Sequence, residues 1–168
     1  PSFRDYAAKI VENSQALAAA CIKEGITVAT GGSDNHLMLL DVRSFGLNGR
    51  QSESALRDCG VTLNRNALPF DPNGPWYTSG LRLGTPALTT LGMGTAEMEE
   101  VASIIARVLQ NTVPEILTKG ANAGRASKAK TITSEAVRDE ARSRVVALLS
   151  RFPLYRELDL PFLKEYFA

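Results

Sequence analysis

The chain has 168 residues. A chain of this length suggests one domain, or a domain with an appendage, and buries roughly 70% of its unfolded surface, so it needs no metal or disulfide staple. Hydrophobic residues make up 44% and charged residues 22%, which excludes a disordered or fibrous chain. Nineteen basic against eighteen acidic residues leave a net charge of +1, which offers no electrostatic footprint for nucleic acid or an anionic membrane. The longest apolar run, residues 16–22, is far short of the ~20 a membrane helix needs, and no signal-peptide pattern is present. Cys21 and Cys59 form no CxxC pair; free thiols suit a cytoplasmic location, while a single disulfide stays open by count. One histidine and no Cys/His cluster predict no metal site. The chain opens on Pro1 within a helical pattern, so it reads as a piece of something longer.

In chain order, residues 3–23 carry Tyr6, Ala7, Ile10, Val11, Leu17, Ala18, Cys21 and Ile22 at three- and four-residue spacing, which predicts an amphipathic helix ended by a left-handed Gly25. Residues 26–30 and 36–42 are β-prone runs on either side of a Gly-Gly-Ser-Asp-Asn turn, an expected antiparallel pair. Residues 49–59 predict a helix with an Glu53–Arg57 ion pair, ended by Gly60, and residues 61–64 a third strand. Residues 65–79 hold Pro69, Pro72, Pro75, Asn73 and Gly74 without periodicity; an irregular stretch of that length in a compact domain points to binding. Residues 81–83 alternate as a strand between Gly80 and Gly84, and Pro86 opens a helix. Residues 94–110 predict a helix capped by Thr95, with Val101, Ile104, Ile105, Val108 and Leu109 inward. Residues 111–131 read as a mobile basic linker, 133–151 as a last helix with Val137, Ala141, Val145, Leu148 and Leu149 on one face, and 152–168 as an aromatic tail. The expected class is α+β, a small mainly antiparallel sheet with helices packed on one side.

Arg82 is the sharpest candidate for chemistry. A guanidinium in a glycine-bracketed strand, backed by Thr78, Ser79 and Thr85, suits bidentate carboxylate binding; a structural ion pair with an internal acid is the competing reading. Asn64, Arg65 and Asn66 offer amide recognition or, more simply, turn formation. Trp76 either stacks on a planar ligand or pins its loop to the core. His36 opens an apolar strand, which favours a hydrogen-bonded structural role over general-base work. The basic run Lys119, Arg125, Lys128, Lys130 lacks interleaved aromatics and reads as a solvated linker.

The segment Thr78-Ser79-Gly80-Leu81-Arg82-Leu83-Gly84-Thr85-Pro86-Ala87-Leu88-Thr89-Thr90 closely resembles the part of serine hydroxymethyltransferases that carries the substrate-carboxylate arginine. Gly31-Gly32-Ser33-Asp34-Asn35-His36 is similar to that family's Gly-Gly-Thr-Asp-Asn-His turn, Asn64-Arg65-Asn66 to its Asn-Lys-Asn, residues 69–75 to its proline-rich loop near the folate, and the Arg151-Phe152-Pro153-Leu154-Tyr155 ending to its last helix end. The resemblance implies a fold-type-I pyridoxal-phosphate enzyme of the aminotransferase class that moves a one-carbon unit between serine and tetrahydrofolate, giving glycine and methylenetetrahydrofolate. It further implies that Arg82 clamps the amino acid's carboxylate, and that Asn66, Asn73, Gly74 and Pro75 lie against the folate.

Arg65 stands where lysine is usual, and Leu91 where arginine is common. None of Lys9, Lys23, Lys119, Lys128, Lys130 and Lys164 sits in a Schiff-base motif, so the resemblance is to the C-terminal small domain. On this reading residues 1–24 are part of the connecting helix, 25–112 the α+β core, 113–132 a flexible basic linker or insertion, and 133–168 the C-terminal helix and tail. Pyridoxal phosphate would be held mainly by a large domain of the same enzyme, in a homo-oligomer, and this chain alone would be inactive. The alternatives are a truncated non-enzymatic assembly module, or a threonine aldolase or transaldolase on the same fold.

Overall fold

The computed structural model describes residues 2–155, together with 158 and 165. The order is α1 (Ser2–Lys23), β1 (Thr27–Val28), β2 (Leu37–Asp41), α2 (Gly49–Asp58), β3 (Asn64–Asn66), β4 (Gly80–Gly84), α3 (Pro86–Thr90), α4 (Thr95–Gln110), β5 (Thr112–Ile116), β6 (Ala126–Thr133) and α5 (Glu135–Arg151), with a 3-10 turn at Arg43–Phe45. The first four strands form one antiparallel sheet in the order β1-β2-β4-β3. Period-two alternation divides its faces: Met38, Leu40 and Leu81 are buried, whereas Leu37, Leu39 and Arg82 lie on the opposite side. The buried face meets α1 and α2, α4 packs across α1 and α2, and α5 packs on α4. The fold is α+β, as the element pattern predicted.

Most elements fall where periodicity put them. Gly25 terminates α1 at φ 83°, and Pro86 begins α3. In α1, Leu17, Ala18 and Cys21 are buried, but Ile22 is exposed. Two polar side chains, Asn13 and Ser14, are buried with them: the Asn13 amide donates to Thr89 Oγ1 (2.9 Å) and to the Met93 carbonyl (3.0 Å), joining α1 to the α3–α4 connection, and the Ser14 hydroxyl donates to Ser33 Oγ (2.9 Å). In the α4 stripe Ile104, Ile105, Val108 and Leu109 are buried and Val101 is partly buried, while Leu149 on α5 is exposed.

Four sequence expectations need correction. Residues 61–63 are not strand, because the Val61 N–H donates to Leu56 O (2.9 Å) and closes the end of α2; β3 is instead the Asn64–Asn66 segment read as a turn. Thr95 does not cap α4: Gly94 occupies the cap, and the Glu97 carboxylate accepts its N–H at 2.9 Å. His36 is exposed, and the group that holds it is its carbonyl, which accepts the Thr85 N–H at 3.0 Å. The segment 113–132, expected to be a flexible linker, lies almost wholly in the β5–β6 hairpin and its turn. Two polar anchors hold that hairpin to α2: Gln51 Nε2 donates to the Ser127 carbonyl (2.6 Å) and Asn48 Nδ2 to the Lys128 carbonyl (2.9 Å). At its base the Thr112 and Thr133 hydroxyls meet at 2.7 Å, buried. Of the predicted tail, Phe152 packs on the core and Leu154 and Tyr155 are exposed; most of the rest lies outside the described residues.

Candidate functional site

The site is assembled at the β3–β4 edge and the loop between these strands. In register, Asn64 faces Arg82 and Asn66 faces Gly80. Arg82 also pairs with Leu39 on its other side, which places the arginine on the sheet face turned away from the helical core. Its Nε donates to Asn64 Oδ1 at 3.2 Å. Among the described residues no carboxylate pairs with its guanidinium, and the side chain is exposed. Among the described residues, the structural ion pair that competes with ligand binding at Arg82 is not formed.

The glycines flanking Arg82 have a packing cause. A Cβ on Gly80 would stand 2.6 Å from Leu68 Cδ2 and 2.9 Å from the Asn66 carbonyl oxygen, and one on Gly84 would stand 2.7 Å from the His36 carbonyl oxygen. Neighbouring chain, rather than a ligand, is what approaches closely there.

The loop is organised by Asp71, whose role the sequence did not single out. Its carboxylate accepts from the Leu68 N–H (3.0 Å), the Asn73 N–H (2.8 Å), the Ser79 N–H (2.7 Å) and the Ser79 hydroxyl (2.6 Å). Burial alone would push this carboxyl up; the Ser79 hydroxyl and the three backbone N–H donors outweigh it and hold Asp71 below the usual aspartate range. Asn73 Nδ2 then donates to Ser79 Oγ (3.0 Å), so Asn73 is tied to the first turn of chain before Arg82. Gly74 and Pro75 lie exposed on the crest, where the Gly74 carbonyl accepts from the Tyr77 and Thr78 N–H groups. The Asp-x-Asn spacing, which favours a side-chain-closed turn, was the available signal for Asp71.

The far end of the loop is seated on α2. The Gly49 and Arg50 N–H groups, two of the four donors every helix start leaves unpaired, donate to the Thr78 and Tyr77 carbonyls at 3.1 and 3.0 Å. Thr78 accepts a φ of 55°, an unfavourable value for a β-branched residue, and is buried in that seat. Trp76 stacks on guanidinium groups: Arg50 at 5.2 Å and Arg65 at 5.6 Å from the ring centroid. Arg65 is itself paired with Glu53 at 2.6 Å. Trp76 thus joins loop, strand and helix while remaining more than half exposed. Phe70, fully exposed at φ 56°, is the loop's other outward aromatic.

The structure therefore brings Arg82, Asn66 and Asn73 to one edge. The amide of Asn66 donates to the Ala67 carbonyl (2.8 Å), which leaves its carbonyl oxygen free to accept. The five described lysines (Lys9, Lys23, Lys119, Lys128 and Lys130) are all exposed.

Known proteins resemble this sequence. The family profile described as serine hydroxymethyltransferase matches residues 1–105. A serine hydroxymethyltransferase of Treponema pallidum is 57% identical over 167 residues, covering 99% of this chain and 28% of that protein. Those of Salinispora tropica and Chlamydia muridarum are 53% and 52% identical, covering 95% of this chain and 33% and 31% of their own lengths. The chain spans about a third of the length of these curated relatives. Likeness that runs through the arginine strand, the asparagine strand and the proline-rich loop, and on into α5, makes the chain a member of the serine hydroxymethyltransferase family.

Proposed function

We propose that this chain is the carboxylate-binding and folate-facing part of a serine hydroxymethyltransferase, the reaction being exchange of a one-carbon unit between serine and tetrahydrofolate. The observation that carries the reading is Arg82: an exposed guanidinium, on a strand paired on both sides, with a neutral amide as its side-chain partner. Such a group keeps its charge available for a ligand carboxylate, and charge-assisted hydrogen bonds of this kind contribute about 1.5–3 kcal/mol each. Gripping the carboxylate fixes the orientation of the amino acid, which is the positional part of the catalysis. Asn66, Asn73, Gly74 and Pro75 form the wall toward the folate, the asparagines presenting acceptors and the loop crest an ordered edge.

Pyridoxal phosphate, as the family's electron sink, supplies the bond-breaking chemistry when bound. The described residues of this chain do not form its seat, so that chemistry is assigned to the remainder of the enzyme, and the isolated chain is without transferase activity. The test is Arg82→Ala in the whole enzyme. KM for serine should rise roughly 100-fold or more, with Arg82→Lys recovering only part, because lysine offers a point charge in place of a planar fork. An unchanged amino-acid affinity in Arg82→Ala would overturn the reading.

A further inference from the structure

Asn64 is the side-chain hydrogen-bond partner of Arg82 among the described residues. It stands directly across the β3–β4 ladder from the arginine. Its Nδ2 donates to the Arg65 carbonyl at 2.8 Å, which fixes the plane and sense of the amide. A guanidinium only donates, so the amide must turn its oxygen to Arg82, and Oδ1 accepts from Nε at 3.2 Å. An arginine has two bidentate edges, one made of Nε with one Nη and one made of both Nη groups. With Nε engaged, the first edge is taken. The pair of Nη groups is the edge left for a ligand.

We propose that Asn64 is a positioning residue for amino-acid binding: it occupies Arg82 Nε and so directs the incoming carboxylate to the two Nη nitrogens. Neutrality is part of the device. An amide orients the guanidinium without cancelling its charge, whereas a carboxylate at the same position would compete with the ligand. The bond from Asn64 to the Arg65 carbonyl also makes the amide's orientation a local property of β3. The inference rests on the carboxylate-clamp reading of Arg82.

The experiment compares Asn64→Ala, Asn64→Asp and Arg82→Ala in the whole enzyme, with glycine and a reduced folate as probes. Asn64→Ala should weaken glycine binding and raise KM for serine by about 10-fold with kcat nearly unchanged, the pattern of lost uniform binding. Folate affinity and melting temperature should stay put. Asn64→Asp, almost isosteric, should bind glycine more weakly than Asn64→Ala at neutral pH and recover as pH falls and its carboxyl is protonated; a purely structural role would not produce that profile. If Arg82→Ala abolishes glycine binding but Asn64→Ala changes it by less than about twofold, the positioning role is overturned and the clamp stands. If Asn64→Ala weakens every ligand in step with a loss of stability, the positioning role is likewise overturned. If Arg82→Ala leaves glycine binding intact, the clamp itself fails, and the role of Asn64 with it.

Discussion

At the scale of single residues, Asp71 and Arg82 show the same physics from opposite sides. Asp71 is a charge whose hydrogen-bonding capacity is filled by the protein, with four donors within 3.0 Å; Arg82 is a charge whose capacity is mostly left open. The first therefore serves the loop and the second serves a ligand. Because the folded-state pKa of Asp71 lies below its unfolded value, its stabilisation is full above the ordinary aspartate range and is lost as pH falls through the folded value. Asp71→Asn places an amide NH2 among N–H donors and should lower stability at neutral pH by about 1–3 kcal/mol. Denaturant melts taken from about pH 7 down to about pH 3 should show a shallower acid loss in Asp71→Asn than in the parent chain. An equal slope in the two proteins would exclude Asp71 as the titrating anchor.

At the scale of elements, one helix start does three jobs. Asn48 and Gln51 form a reciprocal capping box at α2, the Gln51 N–H donating to Asn48 Oδ1 and the Asn48 N–H to Gln51 Oε1, each at 2.9 Å. The amides left over on those same two side chains hold the β5–β6 hairpin. The next two backbone N–H groups hold the loop that carries Asn73. Gln51→Ala should therefore cost about 1–2 kcal/mol and release the hairpin from α2. Amide exchange should accelerate across residues 126–133, and limited proteolysis should cut within 117–125, while β3 and β4 stay protected. This anchorage is why the sequence pattern of residues 113–132 resembles a flexible basic linker or insertion although the segment folds as a hairpin. Their strands are stabilised by polar side chains from a helix some eighty residues earlier, not by an apolar alternation of their own, and Ser127 and Thr133 rather than large hydrophobic residues are what they bury.

At the scale of the whole molecule, both thiols are part of the core. Cys21 and Cys59 are free and buried. Burial, helped by the Glu24 charge, pushes the Cys21 thiol up to about 12, and burial also raises Cys59. Neither should react with an aromatic disulfide reagent at neutral pH until the chain is unfolded in urea, when both should react; rapid labelling of the native chain would show that the core opens. Pyridoxal phosphate offered to the native chain should give no stoichiometric borohydride-trapped adduct at any one lysine, since the described lysines are solvated amines without an enclosing site. A single trapped lysine at full occupancy would place the cofactor's covalent seat in this chain.

By itself, the amino-acid order determined the helices with long apolar stripes, the antiparallel strands bracketed by glycine, the family, and Arg82 as the residue to watch. Those features are written in local periodicity and in contiguous motifs, and a short window suffices to read them. Tertiary structure alone decided that Arg82 has no acidic partner among the described residues, that Asn64 holds its Nε, that Asp71 ties the loop, and that the basic segment folds as a hairpin on α2. The last three depend on hydrogen bonds between residues separated in sequence, by eight positions for Asp71 and Ser79, 18 for Asn64 and Arg82, and 76 and 80 for the two anchors of the hairpin. Polar pairing of that kind has no periodic trace in the chain, because a hydrogen bond is specified by where folding brings two groups and not by the residues beside them.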